Sequence, residues 1–104
     1  MQDEYLLVLN SPPALEEEIV DWLLACDCLG GFTSLPVSGH SSKLTGLSVA
    51  EQVRGQRGRV QFQIHAPRQA LLDQLAKLKR DFAGSDLHYW LMPLVAAGHL
   101  GADD

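Results

Sequence analysis

A chain of 104 residues has room for one hydrophobic core, and its 46% apolar and 20% charged residues are ordinary for a globular domain. The formal net charge of −5 is spread along the chain without a basic stripe, which argues against nucleic-acid binding. Apolar runs fall far short of the ~20 residues that cross a membrane, the acidic start Met1-Gln-Asp-Glu reads as no secretory signal, and two cysteines one residue apart build no disulfide framework, so a cytoplasmic protein without membrane insertion is expected.

Glu4–Asn10 (EYLLVLN) is a short, nearly all-apolar run that predicts a strand, closed by Ser11-Pro12-Pro13. Those three residues predict a helix entry, with a capping hydroxyl and prolines in the first turn, where a missing N–H costs nothing. Glu16, Glu17 and Glu18 suit the positive end of that helix, and Leu15, Ile19, Trp22, Leu23 and Cys26 form one apolar stripe before Gly30-Gly31. Phe32–Ser38 (FTSLPVS) predicts a second strand. Pro36 within it cannot donate to a ladder, which places the strand at a sheet edge.

Arg59–His65 (RVQFQIH) alternates, with Val60, Phe62 and Ile64 on one side and Arg59, Gln61, Gln63 and His65 on the other. Ala66-Pro67 opens a second helix with Leu71, Leu75, Leu78 and Phe82 as its buried stripe, and Gly84 as its stop. Leu87–Val95 (LHYWLMPLV) is a last strand carrying Pro93. The order strand, helix, strand, strand, helix, strand predicts a single α+β domain over residues 1–104. The arrangement is ferredoxin-like, βαββαβ, a four-stranded antiparallel sheet with both helices on one face. Strands one and three are then central, and both strand prolines fall on edges.

Such a sheet has one face without cover in its own chain. With Tyr5, Leu7 and Leu9 toward the helices, Leu6 and Val8 point outward, and the last strand exposes apolar side chains whichever way it turns. A contiguous patch of that kind calls for a partner, and self-association is expected; a tail over 96–104 folded back across the face is the alternative.

The arrangement, the Val37-Ser-Gly-His start of the long connection, its Val53-Arg-Gly end and the His88-Tyr-Trp-Leu-Met-Pro-Leu strand resemble a family of small bacterial proteins of unknown function, grouped with the nitrogen-regulatory P-II-like proteins. The resemblance runs from about Tyr5 to Leu100. It implies a homotrimer with sheet faces turned inward and a long loop after the second strand. In those regulators the loop engages partner proteins, and its base holds a nucleotide or small effector between subunits. It also implies a link to heavy-metal efflux. Three departures count against nucleotide binding and nucleotidylation, and no cofactor is expected. Ala83-Gly84-Ser85-Asp86-Leu87-His88 stands where the regulators have a Gly-Asp-Gly-Lys-like turn, no arginine occurs in Ala96-Ala97-Gly98-His99-Leu100, and the loop has no tyrosine.

The connection between strands two and three, residues 39–58, exceeds the ~12–15 residues beyond which a structureless loop usually serves a function. Gly39, His40, Lys43, Arg54 and Arg57 are its candidate ligand- or partner-binding residues, and Ser48-Val-Ala-Glu51 matches a capping box for a short helix. A rival reading is a small metal-binding accessory protein. His40, His65 and His88 are its candidate ligands, with Cys26 and Cys28 as further soft donors. Cys26 continues an apolar stripe, however, and reads as core. No nucleophile–base–orienter set assembles from this chain, so no enzyme is expected.

Overall fold

The computed structural model describes residues 3–27, 29–40 and 56–101. Four strands, β1 (Glu4–Ser11), β2 (Thr33–His40), β3 (Gln56–Pro67) and β4 (His88–Pro93), form one antiparallel sheet in the order β2-β3-β1-β4. Two helices, α1 (Glu16–Leu24) and α2 (Arg68–Asp81), pack against it. This is the expected α+β, ferredoxin-like order. Pro36 and Pro93 do lie on the two edge strands, where the lost N–H faces away from the ladder.

The core is built from alternate residues of the two central strands and one stripe of each helix. Leu7 and Leu9 of β1 and Val60, Phe62, Ile64 and Ala66 of β3 meet Ile19 and Leu23 of α1 and Leu71, Leu75 and Leu78 of α2. Cys26 packs against this cluster, as an apolar-stripe residue should. The helices are tied to each other beyond the core. Trp22 donates its indole N–H to Asp81 at 2.8 Å and meets Phe82 edge-on, with ring centroids 6.3 Å apart.

Ser11 does not cap the first helix. It is fully buried, paired with Val60, and its hydroxyl donates to the Pro12 carbonyl at 2.7 Å. The reason is Pro13, which holds Pro12 in an extended conformation (φ −60°, ψ 145°) and so delays helix formation. A 3₁₀ turn, Pro13–Leu15, comes first, and α1 starts at Glu16. The strands beside the long connection run further than alternation predicts. β2 continues to His40 and β3 begins at Gln56, leaving 41–55 between them instead of 39–58. Gly39 and Gly58 interrupt the side-chain pattern, but the ladder is made of backbone and passes through them. β4 is shorter than predicted, ending at Pro93, although the Leu94 N–H still reaches the Glu4 carbonyl at 2.9 Å.

The uncovered face is as expected in outline. Leu35, Trp90 and Met92 are exposed there, and Val95 and Leu100 of the following segment are exposed almost completely, so residues 95–101 give the sheet no cover. Val8 differs. It is 3% exposed although it points away from the helices, because Trp90 on β4 and Gln63 on β3 flank it in register.

Candidate functional site: the root of the β2–β3 ribbon

The ladder between β1 and β3 ends at Ser11↔Val60, whereas β2 and β3 stay paired through Val37↔Arg59, Ser38↔Gly58, Gly39↔Arg57 and His40↔Gln56. These four pairs carry a two-stranded ribbon ~13 Å past the end of β1, at about 3.3 Å per residue. A ribbon of two strands is marginal alone in water and needs anchoring at its root.

Arg59 supplies the anchor. It sits in the outward-pointing set of β3, yet its side chain is only 5% exposed. The guanidinium reaches across the end of β1 and donates to the Asn10 carbonyl at 2.9 Å, the Asp86 carbonyl at 2.8 Å and the Asp86 carboxylate at 2.9 Å. One side chain thereby joins the ribbon to the end of β1 and to the approach of β4. The other oxygen of Asp86 lies 2.9 Å from Nε2 of His88. Partial burial by itself would raise the Asp86 carboxyl. Hydrogen bonds from Arg59 and His88, with the attraction of those cations, outweigh it and hold the group below its ordinary value.

Beside this trio stands Asn10, in register with Gln61 on one side and His88 on the other. Its Oδ1 is buried and has no hydrogen-bond partner among the described residues. An acceptor left in that state costs about 1–3 kcal/mol. Among the described residues the ribbon root is therefore unfinished and offers an acceptor to an incoming donor.

The residues singled out from the sequence fall at different places. Gly39 and His40 are paired in the ribbon, and Arg57 pairs through its backbone with Gly39. Lys43, Arg54, the capping box and Cys28 lie outside the described residues. His40, His65 and His88 do not converge within one chain. His40 is at the outer end of the ribbon, His65 near the opposite end of β3, and His88 at the start of β4. His65 faces Glu4 at 3.4 Å, and His88 faces Asp86. Among the described residues no three His, Cys, Asp or Glu side chains gather as metal ligands would.

Arg59, Asp86 and Asn10 were not legible as a group in the sequence. A hint existed in Arg59, a cation on the outward side of a central strand, which had to find a counter-charge near its own row.

Residues 1–101 match the family described as protein of unknown function (DUF3240). The chain belongs to the DUF3240 family. A DUF3240 family protein from Shewanella baltica OS155, known from a crystal structure, is 28% identical to it; the match covers 96% of this chain and 99% of that one at a TM-score of 0.77. No curated protein matches the chain. The expected kinship with a small family of unknown function and the expected fold are thus both found, and no helix of the described residues is long and apolar enough to cross a membrane.

Proposed function

We propose that this DUF3240 protein is a P-II-like regulatory or binding subunit, cytoplasmic and without catalytic activity, which presents residues 41–55 on the β2–β3 ribbon to a partner protein or small effector. The observation that carries this reading is the ribbon itself, projecting past the sheet and held at its root by the Arg59–Asp86–His88 network. An anion competing with Asp86 for Arg59, or a donor satisfying Asn10, would change how firmly the ribbon is held. That is the differential interaction that a population shift requires.

Self-association belongs to the same reading. Leu35, Trp90 and Met92 expose apolar surface on the sheet face, and the described tail leaves it open. A second and third copy placed face to face would cover it, as the P-II-like resemblance implies, and would bring ribbon roots to subunit boundaries. A role beside heavy-metal efflux rests on the resemblance. The rival reading, metal binding through His40, His65 and His88, draws less support because these side chains stand apart in one chain.

The test compares the full chain with a version in which residues 39–57 are replaced by a two-residue Asn-Gly turn, a connection suited to paired strands. Both are titrated by calorimetry with Zn(II), Cu(I), ATP, ADP and AMP, and with any purified protein captured by the full chain. Binding that disappears with the ribbon supports the proposal. Binding that is the same for both versions, or tight uptake of a metal alone, overturns it.

A further inference from the structure

The helix side of β4 holds a second feature, independent of the ribbon. α2 lies over β1 and β3, so the flank of β4 beyond it is left as a shelf. Between helix and shelf runs a groove of about 210 Å³, floored by Leu9, Leu75, Leu78, Phe82 and Leu87 and walled by Tyr89. Its end is formed by the turn Ala83–Ser85, in which Gly84 adopts φ +82°.

Lys79 stands at the rim. Its ammonium lies 5.0 Å from the centroid of the Tyr89 ring, held by the ring's negative face. It has no carboxylate partner among the described residues, whereas the neighbouring Arg80 is paired with Asp81. An apolar trough with one uncompensated cation at its lip matches a molecule with an apolar body and one negative end.

We propose that the groove between α2 and β4 binds a small amphiphilic monoanion. Its carboxylate meets Lys79, and its short hydrocarbon chain or single aromatic ring lies on Leu78, Phe82, Leu87 and Tyr89. Size sets the class. A cavity of ~150 Å³ admits benzene, while sites for larger, drug-sized ligands begin near 300 Å³. The groove falls between them, which excludes a nucleotide lying wholly within it. The negative pole of α2 points the same way as the groove's end and opposes an anion, but with only about half a unit charge. The Leu78 carbonyl in its last turn is also already occupied by the Phe82 N–H, and the carbonyl of Phe82, the residue after the helix, by the Ser85 N–H. A full charge on Lys79 at the lip prevails.

The experiment is a titration of the ¹⁵N-labelled full chain with octanoate, with 1-octanol as the neutral control, followed by amide chemical shifts. Octanoate is expected to move the amides of residues 78–89 saturably, and octanol to move the same amides more weakly. Lys79→Met should weaken octanoate roughly tenfold, the loss of one charge-assisted contact, and leave octanol unchanged. Lys79→Arg should restore octanoate binding. Lys79 is exposed, so neither variant disturbs the core. Octanoate shifts elsewhere on the chain, or Lys79→Met binding octanoate as tightly as wild type, would overturn the proposal. So would groove amides that move on dilution, or on removal of the residues after Val95, because a second copy or the tail would then be the occupant.

Discussion

Asp86→Asn preserves the shape of the ribbon root and removes one charge. Were the ion pair fully buried, breaking it would cost about 3–5 kcal/mol; were it fully exposed, about 0–1 kcal/mol. The geometry lies between these limits, since the Arg59 side chain is 5% exposed and that of Asp86 is 46% exposed. The two backbone carbonyls that also hold the guanidinium survive the substitution, and the solvent on Asp86 screens part of the attraction. The expected loss is ~1–2 kcal/mol at neutral pH, or roughly 5–10 °C in Tm for a domain of this size. Urea unfolding should show a lower midpoint with an unchanged slope. The pH dependence gives a sharper check. The folded carboxyl sits below its ordinary value of 3.8, so its stabilisation is complete above that value and is lost as pH falls through the folded one. The gap between wild type and Asp86→Asn should therefore close as the pH falls below 3.8 and through the folded value. Equal stability at neutral pH, or a gap that persists in acid, would refute the account of the root.

Phe62→Ala, at a fully buried position tilted against Phe32, should cost about 3–5 kcal/mol by urea denaturation, with the far-ultraviolet spectrum retained. Gly84→Ala should cost ~1–2 kcal/mol: a methyl group would meet nothing within 4 Å there, so the penalty comes from φ +82° alone and Gly84→Asn should cost less. If copies associate through the open sheet face, Trp90→Glu should convert the assembly to monomers by light scattering while thermal unfolding stays cooperative.

The fold was largely legible because its signals are local and repeated. Val60, Phe62 and Ile64 alternate, Leu71, Leu75 and Leu78 recur at helical spacing, and Pro36 and Pro93 mark the edges; in each case the pattern follows from which side of an element meets the core. Boundaries failed where side chains are uninformative. Gly39 and Gly58 hid the continuation of the β2–β3 ladder, and Ser11 looked like a cap because Pro12 and Pro13 resemble a helix start when the conformational demand of one on the other is ignored. The candidate site was less legible. Arg59 and Asp86 are 27 positions apart, and each alone reads as solvated surface.

Composition and periodicity alone determined one α+β domain, four strands in a ferredoxin-like order, a core shared by β1, β3 and both helices, and a sheet face left bare. These follow from where apolar residues recur, which is a property of the chain taken a few residues at a time. Only the tertiary structure decided that Arg59 crosses the end of β1 to reach Asp86, that Val8 is sheltered by Trp90 and Gln63, and that Lys79 stands over an apolar groove without a counter-charge among the described residues. Those relations depend on strand register and on which segments the folded chain brings side by side, and no local pattern encodes either.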